Sequence, residues 1–344
     1  MAELNKDEEK IGGFSIEGYN ENATPQLLTL LQSRDSVLES LNHALSLTTE
    51  TIYIADYGSS EGKNSMILFN EAINTFRESS LKPIHIIHND LPTNNWEKTF
   101  KTLLNSPNTY LNCPNTTFSA IGKSFYERIL PDNFIHLAIS SRSFQYLSQP
   151  LSTPDNIVLS ASNDPEFKAR AAEIAHQDMV NFLLLRHKEL ASRGRLIFQV
   201  ADEKSHMGQI GALNGASESI FRKGIITEEE WKDLTLSLYG RSTEEVERAL
   251  NETSHLYKAI SIEKVIHRKS GLSLMNAEEL KEHIVKFKSL AGTVMAGPFS
   301  KSLKTRAEDE KQEILKLYME EIGEVQVIFD NDSYLHSVVL EKID

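Results

Sequence analysis

Four short apolar runs, each ending in a polar loop, alternate with stretches of helical spacing along most of this chain. The runs are IYIAD at 52–56, PIHIIHND at 83–90, FIHLAIS at 134–140 and RLIFQVA at 195–201. Apolar residues spaced as in helices lie before and between them, at 24–50, 66–76 and 164–190. Strands that alternate with helices of this length are typical of a parallel sheet covered on both faces. The sequence therefore predicts an α/β fold.

The chain also divides into regions of different character. The predicted units are a mobile tail at 1–13, an α/β core at 14–201 and 321–344, and a mainly helical cap at 202–320. The tail is charged and ends in two glycines. Within the cap, Thr227 with Glu230 and Ser242 with Glu245 have capping-box spacing. The segment 324–343 is predicted to form an antiparallel hairpin at the edge of the sheet.

Composition and charge argue against several classes of function. The 344 residues carry 36 Lys and Arg against 49 Asp and Glu, so a generic nucleic-acid surface is not expected. No apolar run approaches the ~18 residues that span a bilayer, and the polar, acidic start is unlike a signal peptide. A single cysteine, Cys113, allows no internal disulfide, and the histidines lack metal-ligand spacing. We predict a cytoplasmic protein without membrane, nucleic-acid or metal partners.

The loop after the first apolar run, DYGSSEGKN at 56–64, is a candidate binding site. It supplies Gly58 and Gly62 for a sharp turn, but it lacks the GxGxxG pattern and the Lys-Ser/Thr of a P-loop. Asp90, at the end of the second run, can accept hydrogen bonds from ribose hydroxyls. Together with Asp56 it makes this edge acidic, which suits a cationic nucleoside such as S-adenosylmethionine better than a pyrophosphate. An ordinary strand-to-helix turn is the alternative.

Five motifs in order resemble those of the SABATH family of carboxyl methyltransferases, whose members methylate salicylate, jasmonate and indole-acetate. The motifs are YNENATPQ, IADYGSSEGKN, NDLPTNNW, GKSFYERILP and SSRSFQYLSQP. The segments RGRLIFQVADE and RKGIITEEEWKDL are also similar, so the resemblance extends from about residue 15 to the end of the sequence. It implies a Rossmann-like class I methyltransferase sheet, with S-adenosyl-L-methionine as the cofactor.

The resemblance also implies which residues bind the cofactor. Tyr19, Asn22 and Gln26 would line its amino-acid end, Asp56 and Gly58 its methionine moiety, Asp90 its ribose, and Leu91, Ser124 and Phe125 its adenine. Several of these side chains have a purely structural alternative. Asp56 would equally suit a helix N-cap, Asp90 a turn, Phe125 the core, and Gln26 an exposed first turn of a helix.

The implied reaction is methyl-ester formation on a small carboxylic acid. Such an acid is ionised near neutral pH, so catalysis would come from positioning and partial desolvation rather than from a general base. The implied catalytic residues are Gln26 and Tyr146, two neutral donors that orient the carboxylate. Tyr146 stands where the family normally has Trp, and core packing is its alternative role.

The implied substrate pocket adds Arg142, Gln145, Ile210 and Gly211 to Gln26 and Tyr146. The segment HMGQIGALNGASESIF lacks the bulky Trp that closes the pocket in salicylate-type members. We therefore expect a longer or more polar acid than salicylate, with Arg142 either pairing a second anionic group or lying on the surface. The alternatives are N-methylation of a small heterocycle, a catalytically weak cofactor-binding module and, weakened by the missing GxGxxG, a nicotinamide oxidoreductase. The family resemblance also implies a possible homodimer.

Overall fold

The computed structural model describes residues 20, 24–153, 155, 157–205, 207–268, 277–324 and 333–344. These ranges include the four apolar runs and the helical segments between them. The expected tail at 1–13 and residues 325–332 of the expected hairpin lie outside the described residues.

Seven described strands form one mixed sheet. They are β1 (Ile52–Tyr57), β2 (Ile84–Asp90), β3 (Thr116–Gly122), β4 (Ile135–Ser141), β5 (Leu190–Ala201), β6 (Tyr257–Arg268) and β7 (Ser333–Lys342). Their order is β3-β2-β1-β4-β5-β7-β6. β1 to β5 pair in parallel, whereas β7 runs antiparallel to both of its neighbours. The predicted α/β sheet is confirmed. The strand of the predicted hairpin that the structure describes, β7, does not lie at the edge of the sheet, because it is placed between β5 and β6 and pairs with both.

Ten α-helices are described, and those that pack on the sheet cover both of its faces. The ten helices are α1 (Thr24–Leu31), α2 (Arg34–Ala44), α3 (Lys63–Arg77), α4 (Trp96–Asn105), α5 (Pro165–Glu189), α6 (Met207–Arg222), α7 (Glu228–Asp233), α8 (Thr243–Glu252), α9 (Ala277–Ser302) and α10 (Glu308–Glu324). α2 and α3 share one hydrophobic cluster with β1 and β2, and α5 and α8 share another with β4 and β5. Both predicted capping boxes are present, at the starts of α7 and α8.

Two strands that the sequence did not predict, β3 and β6, lie at the edges of the sheet. β3 is partly exposed along most of its length, so no continuous apolar run marks it. In β6, charged and polar residues interrupt the apolar ones, and Ile262 and Ile266 remain 50% and 39% exposed. The range 202–320, expected to be a mainly helical cap, also contains a strand of the sheet at 257–268.

The other helices of that range pack on one another. α6, α7, α9 and α10 bury apolar side chains in a third hydrophobic cluster, together with residues of 157–158 and 234–238. Leu238, at the margin of this cluster, forms an isolated antiparallel bridge with Tyr146. The helical unit therefore contacts the loop that follows β4.

A buried ion pair, Arg186 with Glu189, lies in the last turn of α5. Both side chains are 0% exposed, and the Nε atom of Arg186 is 2.9 Å from Oε2 of Glu189. Tyr57, which ends β1, donates a hydrogen bond to the same Oε2 atom at 2.5 Å. Burial raises the pKa of Tyr57 well above its ordinary value, so the phenol keeps its proton and donates.

Tyr57→Phe removes one donor from this buried carboxylate and keeps the ring. Because hydrogen bonds to charged groups contribute about 1.5–3 kcal/mol, we expect the free energy of unfolding to fall by about that amount in chemical denaturation. Tyr53→Phe, on the same strand, is the matched control, since Tyr53 packs on the rings of Phe134 and His136. We expect the control to change stability by less than about 0.5 kcal/mol. Equal losses in the two variants would contradict the hydrogen bond from Tyr57.

Candidate active site

The loop after β1 turns at two glycines. Gly58 and Gly62 have φ angles of +81° and +82°, left-handed values that favour glycine. The amides of Gly58 and Ser59 donate to the carbonyl oxygen of Asn89 at 2.8 and 3.0 Å, which attaches the loop to β2. A Cβ atom on Gly58 would lie 2.2 Å from Oγ of Ser143. The approach of this backbone to Ser143 therefore requires glycine.

Asp90 ends β2 beside this loop, and backbone amides hold its carboxylate. Its Oδ2 atom accepts a hydrogen bond from the amide of Ser60 at 2.6 Å, and Oδ1 accepts one from the amide of Leu91 at 2.8 Å. Burial raises the pKa of Asp90 to about 6 against the effect of these amides, and the charge of Asp56 adds to the rise. Each oxygen keeps acceptor capacity, so the carboxylate suits a pair of hydroxyl groups.

Asp56 lies near the end of β1 and is 5% exposed. Its Oδ2 atom is 3.0 Å from Nδ1 of His88, the residue opposite it on β2. α3 begins at Lys63 with Gly62 as its N-cap, so the alternative in which Asp56 caps this helix is wrong. The structure instead places a buried carboxylate at the carboxyl end of the sheet, close to Gly58 in sequence.

Ser124 and Phe125 lie in the loop that follows β3. Ser124 is buried, and its Oγ atom accepts a hydrogen bond from the amide of Tyr126 at 3.3 Å. The ring of Phe125 meets Phe182 edge-on with centroids 6.0 Å apart. Its Cε1 atom is also 3.5 Å from the position of a Cβ on Gly58. Phe125 therefore packs on the core and also borders the glycine loop.

Gln26 lies in α1, and Gln199 of β5 positions this helix. Gln199 donates from Nε2 to the carbonyl oxygen of Thr29 at 3.2 Å and accepts at Oε1 from the hydroxyl of Ser141 at 2.7 Å. The Oε1 atom of Gln26 is buried and has no hydrogen-bond partner among the residues that the structure describes. Gln26 is partly buried, so the alternative of an exposed first-turn residue is wrong.

Arg142, Gln145 and Tyr146 lie together in the loop after β4. Arg142 has a left-handed φ of +57°, and its amide donates to the carbonyl oxygen of Gln199 at 2.7 Å. A left-handed non-glycine residue stores strain, which is typical of functional loops. Burial raises the pKa of the Tyr146 phenol, against the charge of Arg142 and a hydrogen bond from Gln145. The phenol therefore stays protonated at neutral pH within electrostatic reach of Arg142.

Ile210 and Gly211 lie on α6, in the helical unit. Ile210 is 7% exposed and belongs to the cluster of the helical unit, which reaches Tyr146 through Leu238. Gly211 is exposed, and a Cβ on it would meet no atom within 4 Å. The cluster that contains Ile210 therefore meets the loop after β4 at Leu238, and there is open space beside Gly211.

Glu61, inside the glycine loop, was not singled out in the sequence. It is 0% exposed, and its Oε2 atom is 3.1 Å from Nζ of Lys98 and accepts from the amide of Asn20 at 2.9 Å. These contacts attach the segment before α1 to the loop. No local pattern marks Glu61, because Asn20 is 41 residues away. Tyr19 and Asn22, the other predicted cofactor residues, lie outside the described residues.

A family model described as SAM dependent carboxyl methyltransferase matches residues 6–329. The chain belongs to this family. Benzoate O-methyltransferase from Zea mays is 24% identical over 274 residues, 68% of this chain and 71% of that protein. Paraxanthine methyltransferase 2 from Arabidopsis thaliana is 23% identical over 321 residues, 84% and 86% of the two chains. A solved loganic acid methyltransferase with SAH has the same fold, with a TM-score of 0.77 at 20% identity over 97% and 99% of the chains.

The resemblance to the SABATH carboxyl methyltransferases is thereby confirmed, and S-adenosylmethionine is the cofactor of this carboxyl O-methyltransferase. The residues at the carboxyl ends of the strands, together with Gln26 on α1, fit S-adenosylmethionine. The Oε1 atom of Gln26 and the Oγ atom of Ser59 are buried and lack hydrogen-bond partners within the described ranges. Gly58 exposes backbone where a side chain would not fit, and Asp90 offers a carboxylate for a diol.

Metal clusters and membrane-spanning helices do not occur in the described part of the chain. No group of three or more His, Cys, Asp or Glu side chains in these ranges is arranged to hold a metal ion. None of the described helices combines the length and the apolar character needed to cross a bilayer.

Gly58→Ala tests the close approach in the glycine loop. The new Cβ would clash with Ser143, and because overpacking costs about 1–3 kcal/mol, we expect the Kd for S-adenosylhomocysteine to rise about tenfold or more in calorimetry. Gly62→Ala is the matched control, since its φ is similar but its nearest contact is Thr99 at 3.3 Å. We expect the control to lose about 1 kcal/mol of stability with little change in affinity. Equal losses of affinity would exclude the clash as the cause.

The raised pKa of Asp90 predicts a pH dependence of cofactor binding. As the pH falls through about 6, the carboxylate gains a proton and becomes a weaker acceptor for hydroxyl groups such as those expected from the ribose. We expect the Kd for S-adenosylhomocysteine to rise over this range and to stay high at every pH in Asp90→Asn. A flat profile for the unmodified protein would contradict the assignment.

The raised pKa of Asp90 has the opposite effect on folding stability, because it makes the folded state more stable at low pH than at high pH. The folded state binds this proton more tightly than the unfolded chain, in which the pKa of Asp is about 3.9. The contribution of Asp90 to stability is therefore complete below about pH 3.9 and is lost as the pH rises through about 6. Protonation of Asp90 at low pH thus stabilises the folded state. A loss of cofactor affinity at low pH would therefore not result from unfolding caused by Asp90.

Proposed function

We propose that this methyltransferase forms the methyl ester of a small polar organic acid, in a site built by α1, the loop after β4 and the helical unit. The group of Arg142, Gln145 and Tyr146 carries this proposal. In that group a protonated phenol lies within reach of a guanidinium at the carboxyl edge of the sheet. A cation beside neutral donors favours an anionic substrate.

For the cofactor, we propose that each element at the carboxyl edge binds one part. Asp90 would hold the ribose, Leu91, Ser124 and Phe125 the adenine, Asp56 and Gly58 the methionine moiety, and Tyr19, Asn22 and Gln26 its amino-acid end. The 3.5 Å approach of the Phe125 ring to the Cβ position of Gly58 supports this arrangement, because it joins the loops after β1 and β3. The unpaired Oε1 atom of Gln26 is an acceptor that an ammonium group would satisfy.

The proposed catalysis depends on orientation. When bound, S-adenosylmethionine supplies an electrophilic methyl group on a sulfonium. Because a carboxylic acid of ordinary pKa is ionised at neutral pH, this chain needs no residue to remove its proton. Gln26 and Tyr146 would each donate a hydrogen bond to the carboxylate and aim one oxygen at the methyl group. Neutral donors suit this task, because they hold the anion without cancelling its charge.

For the substrate, we propose an acid longer or more polar than salicylate. Arg142 would bind a second anionic group, while Gln145, which is 2% exposed, and Ile210 would shape the pocket. The open space beside Gly211 supports a larger ligand than a bulky residue there would admit. The left-handed conformation of Arg142 supports a functional position, because strain of this kind needs support from its surroundings.

A second candidate is methylation of a ring nitrogen. It is favoured by the similarity to paraxanthine methyltransferase 2, which spans 84% of this chain. The charge of Arg142 favours the carboxylate instead, because a neutral heterocycle would gain little from a guanidinium. A protein that binds the cofactor without transferring its methyl group is the third candidate.

We also propose that the protein is cytoplasmic and forms a homodimer. Cys113 is the single cysteine and is 4% exposed, which suits a reducing compartment. Leu28, Ile262 and Ile266 are exposed apolar side chains on α1 and on the edge strand β6, and apolar surface of this kind suits a partner chain. Light scattering that gave only the mass of one chain would contradict the dimer.

The function is tested by incubating the protein with S-adenosylmethionine and a panel of organic acids and purine heterocycles. We expect methyl esters, identified by mass spectrometry, from acids that carry a second carboxylate. In Arg142→Leu we expect the KM for such acids to rise about tenfold or more, because a charged hydrogen bond contributes about 1.5–3 kcal/mol. The KM for monocarboxylic acids should change little.

Arg193→Leu is the matched control for this test. Arg193 has the same left-handed backbone, with φ of +59°. It lies near the start of β5, and therefore at the amino ends of the parallel strands, away from Arg142 at their carboxyl ends. We expect its kinetics to match those of the unmodified protein. Methyl transfer to a ring nitrogen, or an unchanged KM for dicarboxylic acids in Arg142→Leu, would overturn the substrate assignment.

A further inference from the structure

A network of three buried polar side chains includes Asp56. The Nδ1 atom of His88 is 3.0 Å from Oδ2 of Asp56, and Nε2 of the same ring is 2.8 Å from the hydroxyl of Tyr110. His88 and Tyr110 are each 0% exposed. The network joins β1, β2 and the short 3-10 helix Tyr110–Asn112. It ends at Asp56, the carboxylate proposed to lie beside the methionine moiety.

The polar contacts of this network suit one arrangement of hydrogens, which the proposal below adopts. Burial raises the pKa of Tyr110, and the charge of Asp56 raises it further, so the phenol keeps its proton. An ionised Asp56 only accepts hydrogen bonds, so the ring must present a hydrogen on Nδ1. A neutral ring then leaves Nε2 as an acceptor, which the hydroxyl of Tyr110 satisfies. One consistent direction results, from Tyr110 to His88 to Asp56.

We propose that His88 is a positioning residue for cofactor binding, which acts as a neutral donor and fixes Asp56 without cancelling its charge. This inference rests on the proposed role of Asp56. A lysine or arginine at the same place would neutralise the carboxylate that faces a cationic cofactor, whereas an apolar residue would leave that carboxylate buried without this donor. Tyr110 selects the tautomer that makes the donation possible.

The ring also has an aromatic environment. Its centroid lies 6.3 Å from that of Phe69, 6.4 Å from that of Phe118 and 6.0 Å from that of Tyr110. A histidine that only filled this core would be replaceable by leucine with little effect on the edge of the sheet. His88 differs from such a residue because its polar atoms connect to Asp56, and this connection is what the experiment separates from packing.

Calorimetry with S-adenosylmethionine on the full chain tests the inference. We expect the Kd to rise about tenfold or more in His88→Leu, and to stay within about threefold of the original in His88→Asn, whose amide can donate in place of Nδ1. His85→Leu is the matched control. His85 lies on the same strand, but its ring nitrogens contact Thr117 and Ser119, so the affinity should not change.

Two further measurements do not depend on the folding of His88→Leu. Nitrogen NMR of the labelled, unmodified protein should show His88 neutral with its hydrogen on Nδ1, and Tyr110→Phe should perturb this signal and weaken binding. In an Asp56→Asn background, Tyr110→Phe should cause no additional loss, because Tyr110 acts on the cofactor only through His88 and Asp56. A hydrogen on Nε2, additive losses, or undiminished affinity in His88→Leu would each overturn the inference.

The controls separate this inference from the function on which it rests. If the unmodified protein bound no S-adenosylmethionine, or if Asp56→Asn bound it undiminished, the proposed site itself would be wrong. If Asp56→Asn weakened binding while His88→Leu did not, the site would stand and only the role of His88 would fail.

Discussion

The buried pair of Arg186 and Glu189 is the interaction on which the geometry of the site depends. Arg186 donates to the carbonyl oxygens of Phe125 and Glu127 at 2.9 and 3.0 Å. Glu189 accepts from the amides of Ile129 and Leu130, and from the phenol of Tyr57. Replacing a buried ion pair by apolar residues often leaves stability unchanged, so stability alone does not account for it. The pair fixes the loop after β3 relative to the end of β1, and thus Phe125 relative to Gly58.

The acidic and the basic side chains of the site occupy different places along the carboxyl ends of the strands. Asp56 and Asp90 lie at the ends of β1 and β2, where Asp56 contacts the ring of His88 and Asp90 accepts from the backbone amides of Ser60 and Leu91. Arg142 follows β4, on the other side of β1. In the proposed arrangement, a cationic cofactor and an anionic acid would each meet a complementary charge.

The sequence predicted the central strands because both faces of each are buried, which produces apolar runs at β1, β2, β4 and β5. It missed β3 and β6, since an edge strand exposes part of its surface and lacks that signal. Asp56 and Asp90 were predictable because they follow such runs. His88 and Glu61 were not, because each depends on a partner brought near only by the fold: Tyr110 is 22 residues from His88, and Asn20 is 41 residues from Glu61.

In the proposed site, cofactor and substrate depend largely on different parts of this fold, which would let one family share a cofactor and differ in the acceptor. The groups proposed for the ribose, the adenine and the methionine moiety lie on β1 and β2 and in the loops after β1, β2 and β3, whereas Gln26 on α1 is proposed to contact both ligands. Tyr146, in contrast, is bridged to Leu238 at the margin of the helical cluster. A change in the packing of α6 or α9 would therefore reach the loop that is proposed to hold the acid. The ends of β1 and β2, attached to the sheet core, would not move with it.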